Sequence, residues 1–237
     1  MAAQKTLKNP HKKPYPKNTK TPSNTEEILE ERLREALEKA KRVAVRKKYS
    51  KILLAFADET AIQDKPNFKG TLWGTIQPME YGGRKKFCAI GVYVLDGKSA
   101  VILTPSCKAD SFVRFLKALR RNNLDSVLVL VVDNARIHKA RVTLHVAERN
   151  DIILAYLSPH SPHLNPIDFV WQDCKRGLSV FAFEDRVNKF LSVFMERVSG
   201  GGYVSYLSGL IGGIIDDSRF LPSQHVFSSP CMSSVRA

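Results

Sequence analysis

Six aliphatic residues in succession, Val127 to Val132, run directly into an acid, Asp133. A continuous apolar run of this length shows no solvent-facing alternation, so it belongs to a strand covered on both faces, as in sheets with parallel strands and crossover helices. An acidic side chain where such a strand stops faces the functional rim of an α/β sheet. The pattern occurs again at Ile52 to Ala57, which ends on Asp58, and a third acid, Asp168, lies within Leu164-Asn165-Pro166-Ile167-Asp168. Between Asp133 and Asp168 there are 34 residues. Three such carboxylates brought together supply the hard oxygen ligands that Mg²⁺ prefers.

The segments between the acids predict a topology. Lys51 to Ala57, Lys86 to Leu95 and Ser99 to Thr104 read as strands, the last two joined by Asp96-Gly97, a type I′ hairpin signal. Asp110 to Arg121 reads as a helix with Phe112, Phe115, Leu116 and Leu119 on one side. After the Val127 to Val132 strand, Ala135 to Arg149 reads as a helix and Ile152 to Tyr156 as a fifth strand; Asn165-Pro166 opens a further helix with Asn at N-cap and Pro at N1. The order β-β-β-α-β-α-β-α is that of a ribonuclease-H-like core, a mixed five-stranded α/β sheet with helices on both faces. The catalytic domain is expected over residues 51–198.

Ahead of that core, residues 1–22 hold six lysines and four prolines without one carboxylate, the composition of a disordered basic arm. Residues 23–50 read as an amphipathic linker helix, opened by the capping-box spacing Ser23-Asn24-Thr25-Glu26 and striped by Leu29, Leu33, Leu37, Ala40 and Ala44. It is read as a packing helix rather than a DNA-reading one. Residues 199–237 are Gly- and Ser-rich and form an irregular tail. The net charge of +14 favours a polyanionic partner through counterion release, nucleic acid first among them. The four cysteines are widely spaced, without a Cys-x-x-Cys pair, which fits a reducing compartment. No stretch reaches the roughly 18 to 20 apolar residues of a membrane helix, so the expectation is a cytoplasmic, DNA-associated chain without a membrane partner.

Phosphodiester cleavage and transfer require an activated attacking oxygen, a stabilised leaving oxygen and neutralised charge at phosphorus, and two divalent ions about 3.5 to 4 Å apart meet all three needs. Asp58, on a central strand, is the expected bridging ligand; Asp133 completes the shell of one ion and Asp168 that of the other, with Mg²⁺ as the ion and Mn²⁺ as its substitute. Neighbouring acids are set aside. Glu59 follows Asp58 directly, and strand side chains alternate faces. Asp173 falls roughly 140° around the helix from Asp168. Asp64, Asp96 and Asp151 sit where turns form.

Three strings carry a resemblance. Asp133-Asn134-Ala135-Arg136-Ile137-His138-Lys139 resembles the second-acid motif of the mariner superfamily of DDE transposases. Leu157-Ser158-Pro159-His160-Ser161-Pro162-His163-Leu164-Asn165-Pro166-Ile167-Asp168-Phe169-Val170-Trp171 resembles the third, and Phe56-Ala57-Asp58-Glu59-Thr60 the first. The 34-residue spacing belongs to the same family, and the likeness covers about residues 51 to 180. It implies metal-dependent cut-and-paste transposition: hydrolytic nicking at the element's ends, then attack of the freed 3′-hydroxyl on target DNA, typically at a TA dinucleotide. The prokaryotic insertion-sequence branch usually carries Glu at the third position, where this chain has Asp168.

Double-stranded DNA, as element ends and as target, is the implied partner, with a homodimer as the expected assembly. Candidate phosphate contacts are Arg84, Lys85 and Lys86 in a loop, Arg114, Lys117 and Arg121 along a helix, and His138, although a polar histidine on a first helical turn is as a rule solvated. Asn134 is placed either to hydrogen-bond near the metals or to serve the turn. Trp171 is expected to pack under the site. A complete family member carries a helix-turn-helix region before the core, and about 50 residues precede it here. Recognition is therefore expected from a partner chain in trans, as in a split gene; the alternative is an inactive remnant that binds DNA non-specifically.

Overall fold

The computed structural model describes residues 24–63, 86–159, 161–176, 178 and 182–200. The expected basic arm, Arg84, Lys85, Asp64 and nearly all of the expected tail lie outside the described residues. Five strands, β1 (Lys51–Gln63), β2 (Lys86–Val94), β3 (Ala100–Thr104), β4 (Ser126–Val132) and β5 (Ile152–Tyr156), form one sheet in the order β3-β2-β1-β4-β5. The β1–β2 and β2–β3 pairs are antiparallel and the β1–β4 and β4–β5 pairs parallel. This is the mixed sheet expected from the element order.

Period-two alternation sorts the sheet's side chains onto two covers. Leu53, Ala55 and Ala57 of β1, with Leu128, Leu130 and Val132 of β4, pack under α2 (Ala109–Asn122), whose Phe112, Phe115, Leu116 and Leu119 are all fully buried. Each such side chain contributes about 1.5 to 3 kcal/mol of hydrophobic stabilisation. α3 (Arg141–Arg149) joins this face through Ala147. On the opposite face, α1 (Asn24–Lys47) lays Leu29, Leu33, Ala36, Leu37 and Ala40 against Leu54, Phe56 and the odd-numbered valines of β4. α4 (Pro166–Lys175) and α5 (Phe183–Gly200) continue that face over Ala89 and Tyr93 of β2. Among the described residues no helix is long and apolar enough to cross a membrane.

Four expectations are corrected. β1 does not stop at Ala57 but runs to Gln63, so Asp58 lies inside a strand. Residues 51–56 pair with β4 on one side, whereas residues 55–63 pair with β2 on the other. Beyond Phe56 one edge of β1 is open, which admits polar side chains without ending the strand. The helix expected from Ala135 begins only at Arg141, because residues 133–140 form a loop. Asp133 Oδ1 accepts the Ala135 N–H at 2.8 Å and Thr143 Oγ1 donates to the Ile137 carbonyl at 2.6 Å, local bonds that compete with helical ones.

The β2–β3 turn is also broader than a two-residue I′ hairpin. The last pair is Val92 with Ala100, Asp96 alone adopts positive φ (58°), and the Ser99 hydroxyl accepts the Val94 N–H at 3.0 Å. Finally, the cysteines are not all thiols. Cys88 on β2 and Cys107 after β3 form a disulfide with Cα atoms 5.5 Å apart, because the β2–β3 pairing sets Cys88 opposite Thr104 and the chain then turns back. Cys174 is a buried free thiol, pushed up to about 12 by burial.

Candidate active site

The parallel register fixes the first two acids relative to each other. The last β1–β4 pair is Phe56 with Val131, and Asp58 and Asp133 each lie two residues further along their strands. By alternation Asp58 shares the face of Leu54 and Phe56, the side covered by α4, and Asp168 stands in the first turn of that helix. Asn165 aims the helix. It occupies the N-cap without making a side-chain cap bond; its amide Nδ2 instead donates to the Ala57 carbonyl at 3.3 Å, clamping the start of α4 to the residue before Asp58.

Asp58 and Asp168 face each other closely enough for their carboxyls to act on one another. Burial first, then the charge of Asp168 and of Glu59, push the Asp58 carboxyl up to about 8. Burial also raises Asp168, opposed by its hydrogen bond to Asp58 and by the charge of Lys175. Two neighbouring carboxyls both pushed upward form a site short of positive charge. Trp171, one turn after Asp168, donates its Nε1–H to Asp58 Oδ2 at 3.1 Å and is itself stacked on Phe190 and Phe194 of α5, with centroids 5.5 and 5.3 Å away. The expectation that Trp171 packs under the site thus holds, with an added hydrogen bond to the acid above it. Gly91, opposite Asp58 on β2, makes room for the indole: a Cβ there would sit 2.4 Å from Trp171 Cη2.

Asp133 is held differently. Its half-exposed carboxylate pairs through Oδ1 with His138 Nδ1 at 2.8 Å, and this hydrogen bond, against some burial, holds it below the usual carboxylate range. The structure corrects the expectation for His138: the imidazole is fully buried (0% exposed), so it is neither solvated nor able to touch DNA. Its Nε2 lies 3.0 Å from Glu59 Oε1. Burial alone would depress His138, but the hydrogen bonds to Asp133 and Glu59 outweigh it and hold the ring up at about 10. Glu59 points away from Asp58, as alternation requires. Asn134 donates its side-chain amide to the Leu157 carbonyl, tying the segment after β4 to the one after β5.

Among the described residues no group of three or more His, Cys, Asp or Glu side chains forms a ready-made metal cluster. Asp58 and Asp168 are together, while Asp133 is engaged by His138 and acts on both through its charge. A cleft of about 540 Å³ opens over the pair, lined also by His163, Gln172 and Lys175. Sequence reasoning passed over these three, although Lys175 falls two helical turns after Asp168 on the same face. The set-aside acids are engaged elsewhere: Asp173 with Arg176 and Arg197, and Asp151 with Lys47 and Tyr49. Lys86, Arg114, Lys117 and Arg121 are exposed, and α2 carries the last three on the face of the sheet opposite the cleft.

Residues 54–188, more than half of the chain, match the family model described as DDE superfamily endonuclease. The chain belongs to that family. Among curated proteins, this DDE-family chain is 35% identical over 77 residues to the uncharacterized protein y4pE/y4sA of Sinorhizobium fredii (strain NBRC 101917 / NGR234), a stretch covering 32% of the chain and 55% of the relative. Among solved structures it resembles the Mos1 transposase paired-end complex with left transposon end, at TM-score 0.50 and 20% identity, over 89% of this chain and 63% of that one. It also resembles the mariner Mos1 paired end complex with Mg, at TM-score 0.50 and 18% identity, over 89% and 64%. At such identities the likeness is one of fold, the ribonuclease-H-like arrangement of sheet and helices. The DDE-family chain spans less than two thirds of each of these relatives.

Proposed function

We propose that the chain is the catalytic part of a DNA transposase that hydrolyses and transfers phosphodiester bonds at the ends of an insertion sequence. One observation carries the reading: Asp58 and Asp168, from a central strand and a facing helix, share one cleft, with Asp133 on the adjoining strand end. The fit to divalent cations rests on the donors, which are all oxygen and include two half-buried carboxyls, Asp58 raised by burial and by the charge of Asp168, and Asp168 raised by burial, an arrangement a cation relieves. Asp58, Asp133 and Asp168 would hold two Mg²⁺ ions, or Mn²⁺ in their place. When bound, the ions activate the attacking oxygen and neutralise charge at phosphorus.

The chain's own side chains position and exclude. Trp171 fixes which oxygen of Asp58 faces the cleft, Asn165 sets the angle of α4, and Lys175 brings a cation to the side where a phosphate would enter. The partner is double-stranded DNA, as element ends and target, drawn by the surplus of 14 positive charges. Arg84, Lys85 and Lys86 are proposed phosphate contacts, and Arg114, Lys117 and Arg121, on the face opposite the cleft, are proposed to meet DNA that extends beyond it, each contact adding about 0.9 to the salt slope. A homodimer and a helix-turn-helix chain acting in trans complete the proposed assembly, in a cytoplasmic, DNA-associated setting.

The test uses the full chain and DNA from the two flanks of its gene. Nicking of that DNA that needs Mg²⁺ or Mn²⁺ and stops with chelator is the expected result. Salt-sensitive binding without metal-dependent nicking would instead make this a DNA-binding remnant. In the same assay Trp171→Phe, which keeps the aromatic stack and loses the N–H, lowers the nicking rate about tenfold. Its thermal midpoint shifts by no more than about 3 °C.

A further inference from the structure

We propose that Glu59 and His138 form a positioning pair that locks the Asp133 carboxylate in the orientation needed to bind a cation. The inference rests on the reading of Asp133 as a metal ligand and deepens it. Asp133 lies one residue past the end of β4, where no sheet pairing holds it. Its Oδ1 is instead taken by two donors, the Ala135 N–H and His138 Nδ1, both at 2.8 Å. That arrangement fixes the carboxylate plane and leaves Oδ2 as the oxygen for a cation. Ligand orientation by such outer partners is a recurrent feature of metal sites.

The histidine is itself immobilised on every side. Nδ1 also lies 3.1 Å from the Asp133 carbonyl, and the ring packs on Phe112 with centroids 4.5 Å apart. Its own carbonyl accepts the Tyr156 hydroxyl at 3.2 Å, and its N–H donates to the Ala135 carbonyl at 3.1 Å. The anchor at Nε2 is Glu59, whose side chain is 11% exposed. Glu59 and Asp58 are successive residues of β1 and point to opposite faces. One strand thus supplies a ligand on one face and, through His138, steadies the ligand of its neighbour from the other. A buried histidine serving packing alone has no need of carboxylates on both ring nitrogens, since Glu59 must be largely stripped of water to sit there.

The test is Mn²⁺ binding to the full chain, measured by titration calorimetry without DNA. His138→Gln and Glu59→Leu should weaken Mn²⁺ binding by about tenfold or more, within the 10- to 100-fold range of outer-partner substitutions. Glu59→Gln, whose oxygen still accepts a hydrogen bond from Nε2, should restore binding to within about threefold of the parent. Asp133→Asn separates the two levels of the claim. If it loses Mn²⁺ while folded His138→Gln and Glu59→Leu bind like the parent, the positioning pair is refuted and the ligand survives. If Asp133→Asn binds like the parent, the ligand assignment itself is wrong. Should the His138 and Glu59 variants not fold, the ring N–H signals of His138 in the unaltered protein decide. Signals protected from water that shift as Mg²⁺ is added support the pair, and ring protons exchanging freely with water overturn it.

Discussion

Asp58→Asn should lower metal-dependent cleavage of element-end DNA by at least about 10³-fold, comparable to losing a preorganised group that stabilises transition-state charge. The substitution is nearly isosteric, and the amide oxygen can still accept the Trp171 N–H that Asp58 Oδ2 accepts at 3.1 Å. Packing over β1 is therefore kept and the negative charge alone is lost. Asp58 is held opposite Gly91 of β2, and the next acid along the strand, Glu59, points to the other face and is held there by His138, so it does not swing into the vacated place. Asp173→Asn is the control. Asp173 is on the same helix as Asp168 but pairs with Arg176 at 3.1 Å and Arg197 at 3.4 Å, away from the cleft. Cleavage kinetics of this variant should match the parent within about a factor of two.

The same Asp58→Asn substitution should stabilise the metal-free protein at alkaline pH. The Asp58 carboxyl is pushed up from 3.8 to about 8, by burial first and then by the charges of Asp168 and Glu59. The folded state therefore holds a proton that the unfolded chain has released above about pH 4. A group of this kind favours folding fully below its unfolded value and loses that contribution as pH rises through its folded value. Between pH 4 and 8 the parent loses stability that the asparagine variant does not. His138, raised to about 10, drives a loss of the same sign from 6.5 upward, but both proteins share it and it cancels in the difference.

At pH 9 with chelator, the variant's thermal midpoint should lie above the parent's by about 5 °C. Added Mn²⁺ reverses the order, since a ligand at 100 times its dissociation constant stabilises only the binding form, by about 2.7 kcal/mol. A parent that melts no lower than the variant at pH 9 would contradict the crowded-carboxyl description. Stability given up where the metals bind is a common feature of functional sites.

Much of this was legible in the residues because strand burial and helix starts leave local signals. Val127 to Val132 is covered on both faces, and β5 runs over the expected Ile152 to Tyr156. Asn165-Pro166 opens α4 as expected, yet its asparagine spends its amide on Ala57 rather than on the cap, a long-range bond no local pattern reveals. The length of β1 beyond Ala57 is hidden because polar residues in alternation look like a strand end, and only the one-sided pairing with β2 explains them.

The helix after Asp133 is shorter than its sequence suggests for the opposite reason. Its sequence is compatible with helix, but Asp133, His138 and Thr143 form bonds that draw the segment 133–140 into a loop. Glu59 and His138 are 79 residues apart, and their meeting depends on how β1 lies beside β4. Strand alternation correctly removed Glu59 from the Asp58 face. What lay on the other face required the fold. The Cys88–Cys107 bond was hidden in the same way, by a hairpin that brings together residues 19 apart.

Anomalous diffraction at the manganese edge, from crystals of the full chain grown with Mn²⁺ and a short duplex of element-end DNA, tests the central claim most directly. The account predicts manganese peaks in the cleft within coordination distance of Asp58 and Asp168, with Asp133 completing one shell through the oxygen not held by His138. Manganese bound elsewhere, or a cleft without manganese at saturating concentration, would contradict it.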